Sequence, residues 1–181
     1  MEYYNELWFS FTFDLLNSYD PYYEEPERLD SPEQLNNLLQ KYGVLCDETV
    51  ALKELTAVRA YRDRLRDLII SGSDEQLGEF LTESELRSPL RPRLNAQGDG
   101  NFRYVYNPPD KNTGSLADRI LAVCSRTLGR ELTLYGRPRL KVCVSDPCRE
   151  IFSDHSKNGL QRFCSKRCST RYHVKKHRES Q

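Results

Sequence analysis

No stretch of the 181 residues approaches the ~20 apolar residues needed to cross a bilayer. The opening segment, MEYYNELWFSFTFDLL, is acidic and aromatic and has no basic n-region, so it does not read as a signal peptide. The chain carries no Gly-rich phosphate loop, no Gly-x-Ser-x-Gly and no His-Glu-x-x-His, and an enzyme is not expected. It has no internal repeat and no net charge. These absences point to a cytoplasmic protein without a membrane partner, in which the six cysteines are reduced, structural or metal-bound.

What is present suits one compact domain with a small appendage: 38% hydrophobic and 30% charged residues. The zero net charge hides a strong polarity. Residues 137–181 hold twelve Lys/Arg against four Asp/Glu, a formal +8, whereas residues 1–136 hold fifteen against twenty-three, a formal −8. An acidic body, 1–136, is thus expected to carry a basic C-terminal module, 137–181, with Arg137-Pro138-Arg139 as the hinge. A basic tail on an acidic body suggests a polyanion partner for the tail alone.

The body reads as mainly helical. Leu7–Leu16 is strand or short buried helix, since so short an apolar run has no decisive period, and Tyr19–Pro26 is a loop. Ser31 before Pro32 opens a helix that Gly43 ends; Asp47 can cap a longer one carrying Leu55, Val58, Leu65 and Ile69 and stopped by Ser71-Gly72. Ser73-x-x-Gln76 is a capping box, and Ser115 caps a helix with Leu116, Ile120, Val123 and Leu128. Leu90–Asn95 and Phe102–Tyr106 flank Gly98-Asp99-Gly100-Asn101 as a β-hairpin. The expected class is α+β: a helical body with a hairpin or small antiparallel sheet, then a zinc-stapled finger with a basic helix. Cys46 and Cys124 are expected in the core.

Four cysteines crowd the tail as Cys143-x4-Cys148 and Cys164-x3-Cys168. Two close pairs separated by a short spacer are what a tetrahedral Zn²⁺ site requires, and four thiolates leave no open position for catalysis. The tail has few large apolar residues, and modules so small usually need a cross-link. With Zn²⁺ bound, its charge falls to about +6, because a tetrathiolate centre carries about −2. His155, His173 and His177 are alternative ligands, but the Cys168–His173 spacing does not suit them, and polar-face roles are expected instead.

Arg167, Arg171, Val174 and Arg178 recur at helical spacing, and Lys166, Lys175 and Lys176 add to the charge. Such a stripe matches a phosphate backbone, although it can also be a solvated face. Lys157 and Asn158, in the turn Ser156–Gly159, and Arg162 are further candidate nucleic-acid contacts. In the body, Asp14, Asn17 and Asp20 form a local polar cluster, either a small-molecule pocket or, preferred on general grounds, capping and turn residues.

From Cys143-x4-Cys148 through Ile151–Gly159 to Arg162-Phe163-Cys164-Ser165-x-x-Cys168-x-x-Arg171, the tail resembles the CGNR zinc finger. Phe13-Asp14-Leu15-Leu16-Asn17-Ser18-Tyr19-Asp20 and Ser31-Pro32-Glu33-Gln34-Leu35 are similar, less specifically, to the ABATE domain that precedes this finger in a family of stress-induced bacterial transcription regulators. The resemblance implies one structural Zn²⁺ on Cys143, Cys148, Cys164 and Cys168. Two positions depart from the family pattern: Ser169-Thr170 stands in place of Gly-Asn, and Phe163 in place of Trp. If that Asn contacts a base, specificity here is altered. The function expected first is a DNA-binding regulator whose body senses a ligand or dimerises. RNA binding and docking on an acidic protein surface are the alternatives.

Overall fold

The structure is a computed structural model and describes residues 6–20, 24–45, 49–98, 100–107 and 109–180. Among the described residues, six helices and two small antiparallel sheets follow one another, confirming the α+β class. The helical body consists of α1 (Glu6–Leu16), α2 (Pro32–Tyr42), α3 (Leu52–Ser71), α4 (Asp74–Arg87) and α5 (Leu116–Tyr135). Between α4 and α5 a hairpin, β1 (Arg91–Ala96) and β2 (Phe102–Asn107), projects from the body. After α5 come a single 3₁₀ turn, Arg137–Arg139, then β3 (Leu140–Val142), β4 (Ile151–Ser153) and α6 (Lys166–Glu179).

The ambiguous aromatic run is helix α1. Trp8, Phe11, Thr12, Leu15 and Leu16 are all buried, and their spacing is a helical stripe once Thr12 is counted as inward-facing. Thr12 can be buried because its hydroxyl donates to the Trp8 carbonyl at 2.7 Å. The central element is α5, with Ile120, Val123, Cys124 and Leu128 fully inside. Burial pushes the Cys124 thiol up to about 12, as expected of an inert core cysteine; Cys46 lies outside the described residues.

The helix boundaries largely follow the caps. Ser31 accepts from the Gln34 amide and Gly43 closes α2 in the left-handed region at φ 61°. Full capping boxes start α4 at Ser73/Gln76 and α5 at Ser115/Asp118. The third cap differs from expectation: α3 begins after Ala51, which makes no side-chain cap, and Asp47 lies outside the described residues. The buried Glu54 on α3 instead accepts from the Ala117 amide at 2.9 Å, so one helix supplies the anion at the N-terminus of another.

One buried cation organises the α1–α3 junction. Arg62, 1% exposed, holds Glu27 through two bonds of 2.7 Å and donates a third to Ser18 at 2.9 Å. Burial opposes ionisation of Glu27, but the Arg62 fork and the Leu29 amide outweigh it, so its carboxyl is held below its usual 4.5.

The expected hinge is not a hinge. Arg137 donates to the Leu68 and Ile69 carbonyls at the end of α3, at 3.3 and 2.5 Å. Leu140 and Ile151 from the C-terminal module are buried in the same apolar core as α1, α3 and α5. Arg and Pro together read as a linker, but the guanidinium found buried carbonyls to cap.

Because the folded pKa of Glu27 lies below its unfolded value, its stabilisation is complete above about pH 4.5 and is lost as pH falls through the lower, folded value. Glu27→Ala, which strands Arg62, is expected to cost on the order of 3 kcal/mol at pH 7. Urea midpoints between pH 3 and 7 should converge toward the wild-type value at acid pH. Parallel curves would refute the assignment.

Candidate metal centre and nucleic-acid interface

Each cysteine pair is positioned by its own turn. In the first, the Cys148 amide donates to the Ser145 carbonyl at 2.9 Å and the Cys143 amide to the Glu150 carbonyl at 2.8 Å, folding residues 143–150 back on themselves. In the second, Ser165 is the N-cap of α6 and accepts from the Cys168 amide at 3.3 Å. Cys164 therefore stands just before the helix and Cys168 in its first turn. Only Cys168 is therefore helical, and the two sulfurs still meet.

All four sulfurs lie within 4.8 Å of one another, with Cys148–Cys164 at 3.8 Å and Cys164–Cys168 at 3.5 Å. Zn–S bonds of ~2.3 Å in a tetrahedron require sulfurs about 3.8 Å apart, so the donor set fits. Its chemistry agrees: four cysteine sulfurs, three of them on buried residues, are the soft donors that Zn²⁺ prefers, and the bound cation would keep them ionised. The module carries one structural Zn²⁺ on Cys143, Cys148, Cys164 and Cys168. Its centre makes a separate small cluster with Phe152 and Phe163. His173 and His177 are exposed on α6, while His155 lies elsewhere, against Glu131.

Arg171 belongs to this centre. Its guanidinium donates to the Ser145 hydroxyl at 3.2 Å, the Ser145 carbonyl at 2.9 Å and Cys168 Sγ at 3.3 Å. It clamps the first cysteine turn to α6 and sets a cation beside the thiolates. Its expected place on an outward basic stripe is thus corrected. Spacing shows which residues share a face, but not which face meets the neighbouring turn.

Other basic residues divide similarly. Lys175 reaches Asp146 at 3.4 Å, and Arg162 lies over the Tyr172 ring, 5.1 Å from its centroid. Lys141 and Arg139 surround Asp154, a hub missed in the sequence. Buried Asp154 also accepts from Ser156 and from the Gln161 amide, and it fixes the loop between the cysteine pairs. Burial works against its charge, but Lys141 and the two Ser156 donors hold its carboxyl far below the usual range. Asp154-x-Ser156 before Lys-Asn-Gly was the available signal, as an Asx turn. Gly159 is required here: φ is 64°, and a Cβ would come within 2.8 Å of Arg139. Exposed are Lys157, Asn158, Lys166, Arg167, Thr170, His173, Lys176, His177 and Arg178.

The residues Asp14, Asn17 and Asp20 do not form one pocket. Asp14 pairs with Lys41 at 2.8 Å and borders an open groove of about 280 Å³ between α1 and α2. Asn17 exchanges two bonds with the Ile151 backbone, at 2.9 and 2.8 Å, as a strand neighbour would. Asp20 is buried within ligand distance of Cys148 and Glu150, beside a cavity of about 100 Å³ that Arg167 and Arg171 also line. Spaced three residues apart across the end of α1, they diverge because the chain leaves the helix at Asn17.

Further pins hold module and body together. Arg66 donates to the Leu16 carbonyl at 2.7 Å and the Arg149 carbonyl at 3.1 Å. Buried Glu131 on α5 accepts from Ser153 and lies 2.7 Å from His155 Nε2, whose ring packs against Phe9 and Tyr135.

The class is now defined: a helical body with a tetrathiolate zinc finger fixed to it. Residues 10–127 match the ABATE family model, described as "Putative stress-induced transcription regulator", and residues 139–181 match the CGNR zinc finger. The first match alone spans more than half of the chain, which therefore belongs to the ABATE family. Neither description names an enzyme. No curated protein matches the chain. No helix among the described residues is long and apolar enough to cross a membrane.

Elemental analysis should find about one zinc per chain. Since Leu140 and Ile151 share the body's core, stripping the metal with a strong chelator should lower the midpoint of a single thermal transition for the whole chain. An unchanged body transition would refute the coupling. Arg171→Ala should speed zinc loss to a chelating dye several-fold, with Arg178→Ala as the unaffected control.

Proposed function

We propose that this chain is a zinc-dependent, DNA-binding transcription regulator of the cytoplasm. Residues 137–181 contact DNA, and residues 1–136 sense a signal or bring two copies together. The observation that carries this is the outward face of α6: Lys166, Arg167, Thr170, His173, Lys176, His177 and Arg178 are all exposed on a helix rooted at the metal centre. From Lys166 to Arg178 such a face runs about 18 Å, enough to follow several phosphates. Lys157 and Asn158, on the loop held by Asp154, add contacts at one side. Arg162, Arg171 and Lys175 act inside the finger.

Thr170, where the family pattern has Asn, lies on this exposed face. A threonine cannot make the paired contacts of an amide to adenine, so base discrimination at that position is reduced. The exposure of α6 also weighs against the basic helix being docked on the chain's own acidic body. A single short helix gives a small footprint, and such modules bind weakly unless paired. Two copies per site are therefore part of the proposal.

A titration of the full chain with duplex DNA over a salt series tests this. Affinity should fall with salt, and Arg167→Ala/Arg178→Ala should flatten the log–log slope by about 2, at about 0.9 per phosphate contact. Lys175→Ala should leave the slope nearly unchanged. Equal or tighter binding to structured RNA would favour the RNA alternative; no binding to either would leave an interaction module.

A further inference from the structure

Among the described residues, the outer part of the hairpin's apolar face is uncovered. The register pairs Pro92 with Tyr106, Leu94 with Tyr104 and Ala96 with Phe102, and residues directly opposite share a face. All six are therefore on one side of the ribbon, and Arg91 and Arg93 are on the other. At its root this face joins the body: Tyr106 packs on the core with Arg126 3.9 Å over its ring. Further out every residue of β1 is exposed, and Leu94, Phe102 and Tyr104 are 52, 66 and 51% exposed. A two-stranded ribbon alone in water is marginal and needs a layer against its apolar side.

We infer that this face pairs with the same face of a second copy, two ribbons stacking about 10 Å apart as a small double layer. The inference goes beyond the finger as a DNA contact and rests on that proposal only for the need of a second copy. Nucleic acid does not suit the face, because the arginines that would meet phosphate are on its far side. A second copy does, since a two-fold axis presents the same patch to itself. The area agrees. The three exposed large side chains offer on the order of 350 Å² per arm. With Pro92 and Ala96, a pair buries about 900 Å² in total, the size of a weak, reversible interface. The basic faces then point outward and keep the pair soluble.

Sedimentation velocity of the zinc-loaded full chain, without DNA, tests this from about 1 to 300 µM. Reversible dimerisation is expected within that range. Leu94→Glu/Tyr104→Glu should be monomeric throughout with an unchanged circular dichroism spectrum, and Arg91→Ala/Arg93→Ala should dimerise like the wild type. Should the double glutamate variant lose its fold, the milder Phe102→Ser should still weaken association at least several-fold. A wild type that stays monomeric overturns the inference, as does dimerisation that ignores these substitutions. Loss of DNA binding in the Leu94/Tyr104 variant without any change in association overturns it in favour of a nucleic-acid contact. Because no DNA is present in the sedimentation arm, failure of the regulator proposal leaves this outcome unaffected.

Discussion

The seating of Ile151 decides how the rest of the molecule is arranged. This residue begins a three-residue strand of the finger, yet its side chain lies in the body's core and its backbone pairs with Asn17. A strand so short has little stability of its own. The Asn17 amide stands in for one more neighbour, and the core supplies the apolar contact that the finger lacks. Cys148 is three residues upstream, so the position of one metal ligand follows from the end of α1. Zinc and hydrophobic core are thus two parts of one cooperative unit.

That coupling changes what the charge separation means. A basic tail joined by a loose linker to an acidic body would fold back on it, since unlike charges attract over about a Debye length of 8–10 Å. Here Arg137 binds body carbonyls, Arg66 of the body binds the Arg149 carbonyl of the finger, and Asp154 consumes Arg139 and Lys141. The cations nearest the body are spent on holding the finger in place. Those left on the outer face of α6 remain exposed. Rigidity, more than net charge, keeps that face available.

Much of this was legible in the sequence. The capping boxes at Ser73 and Ser115, the stop at Gly43, the hairpin and the four metal cysteines follow from local chemistry, since each depends on residues within a few positions of one another. The metal centre was the most legible because its spacing is itself the signal. What stayed hidden depends on contacts between distant segments. Asn17 is 134 residues from Ile151, and nothing local distinguishes it from a turn residue. Arg171 shows the same limit within the finger: its periodicity is genuine, but the Ser145 turn that claims it is 26 residues away.

The helical period of a basic run overstates its binding surface for this reason. Of the tail's twelve Lys/Arg, Arg137, Arg139, Lys141, Arg149 and Arg171 donate to carbonyls of the fold, four of them to backbone that the finger itself must satisfy. A small domain with little apolar core has to stabilise its loops by capping carbonyls with long cationic side chains. Composition therefore counts structural and functional cations together. Only the fold separates Arg171, which donates to Cys168 Sγ, from Arg167, four residues earlier, whose side chain is exposed.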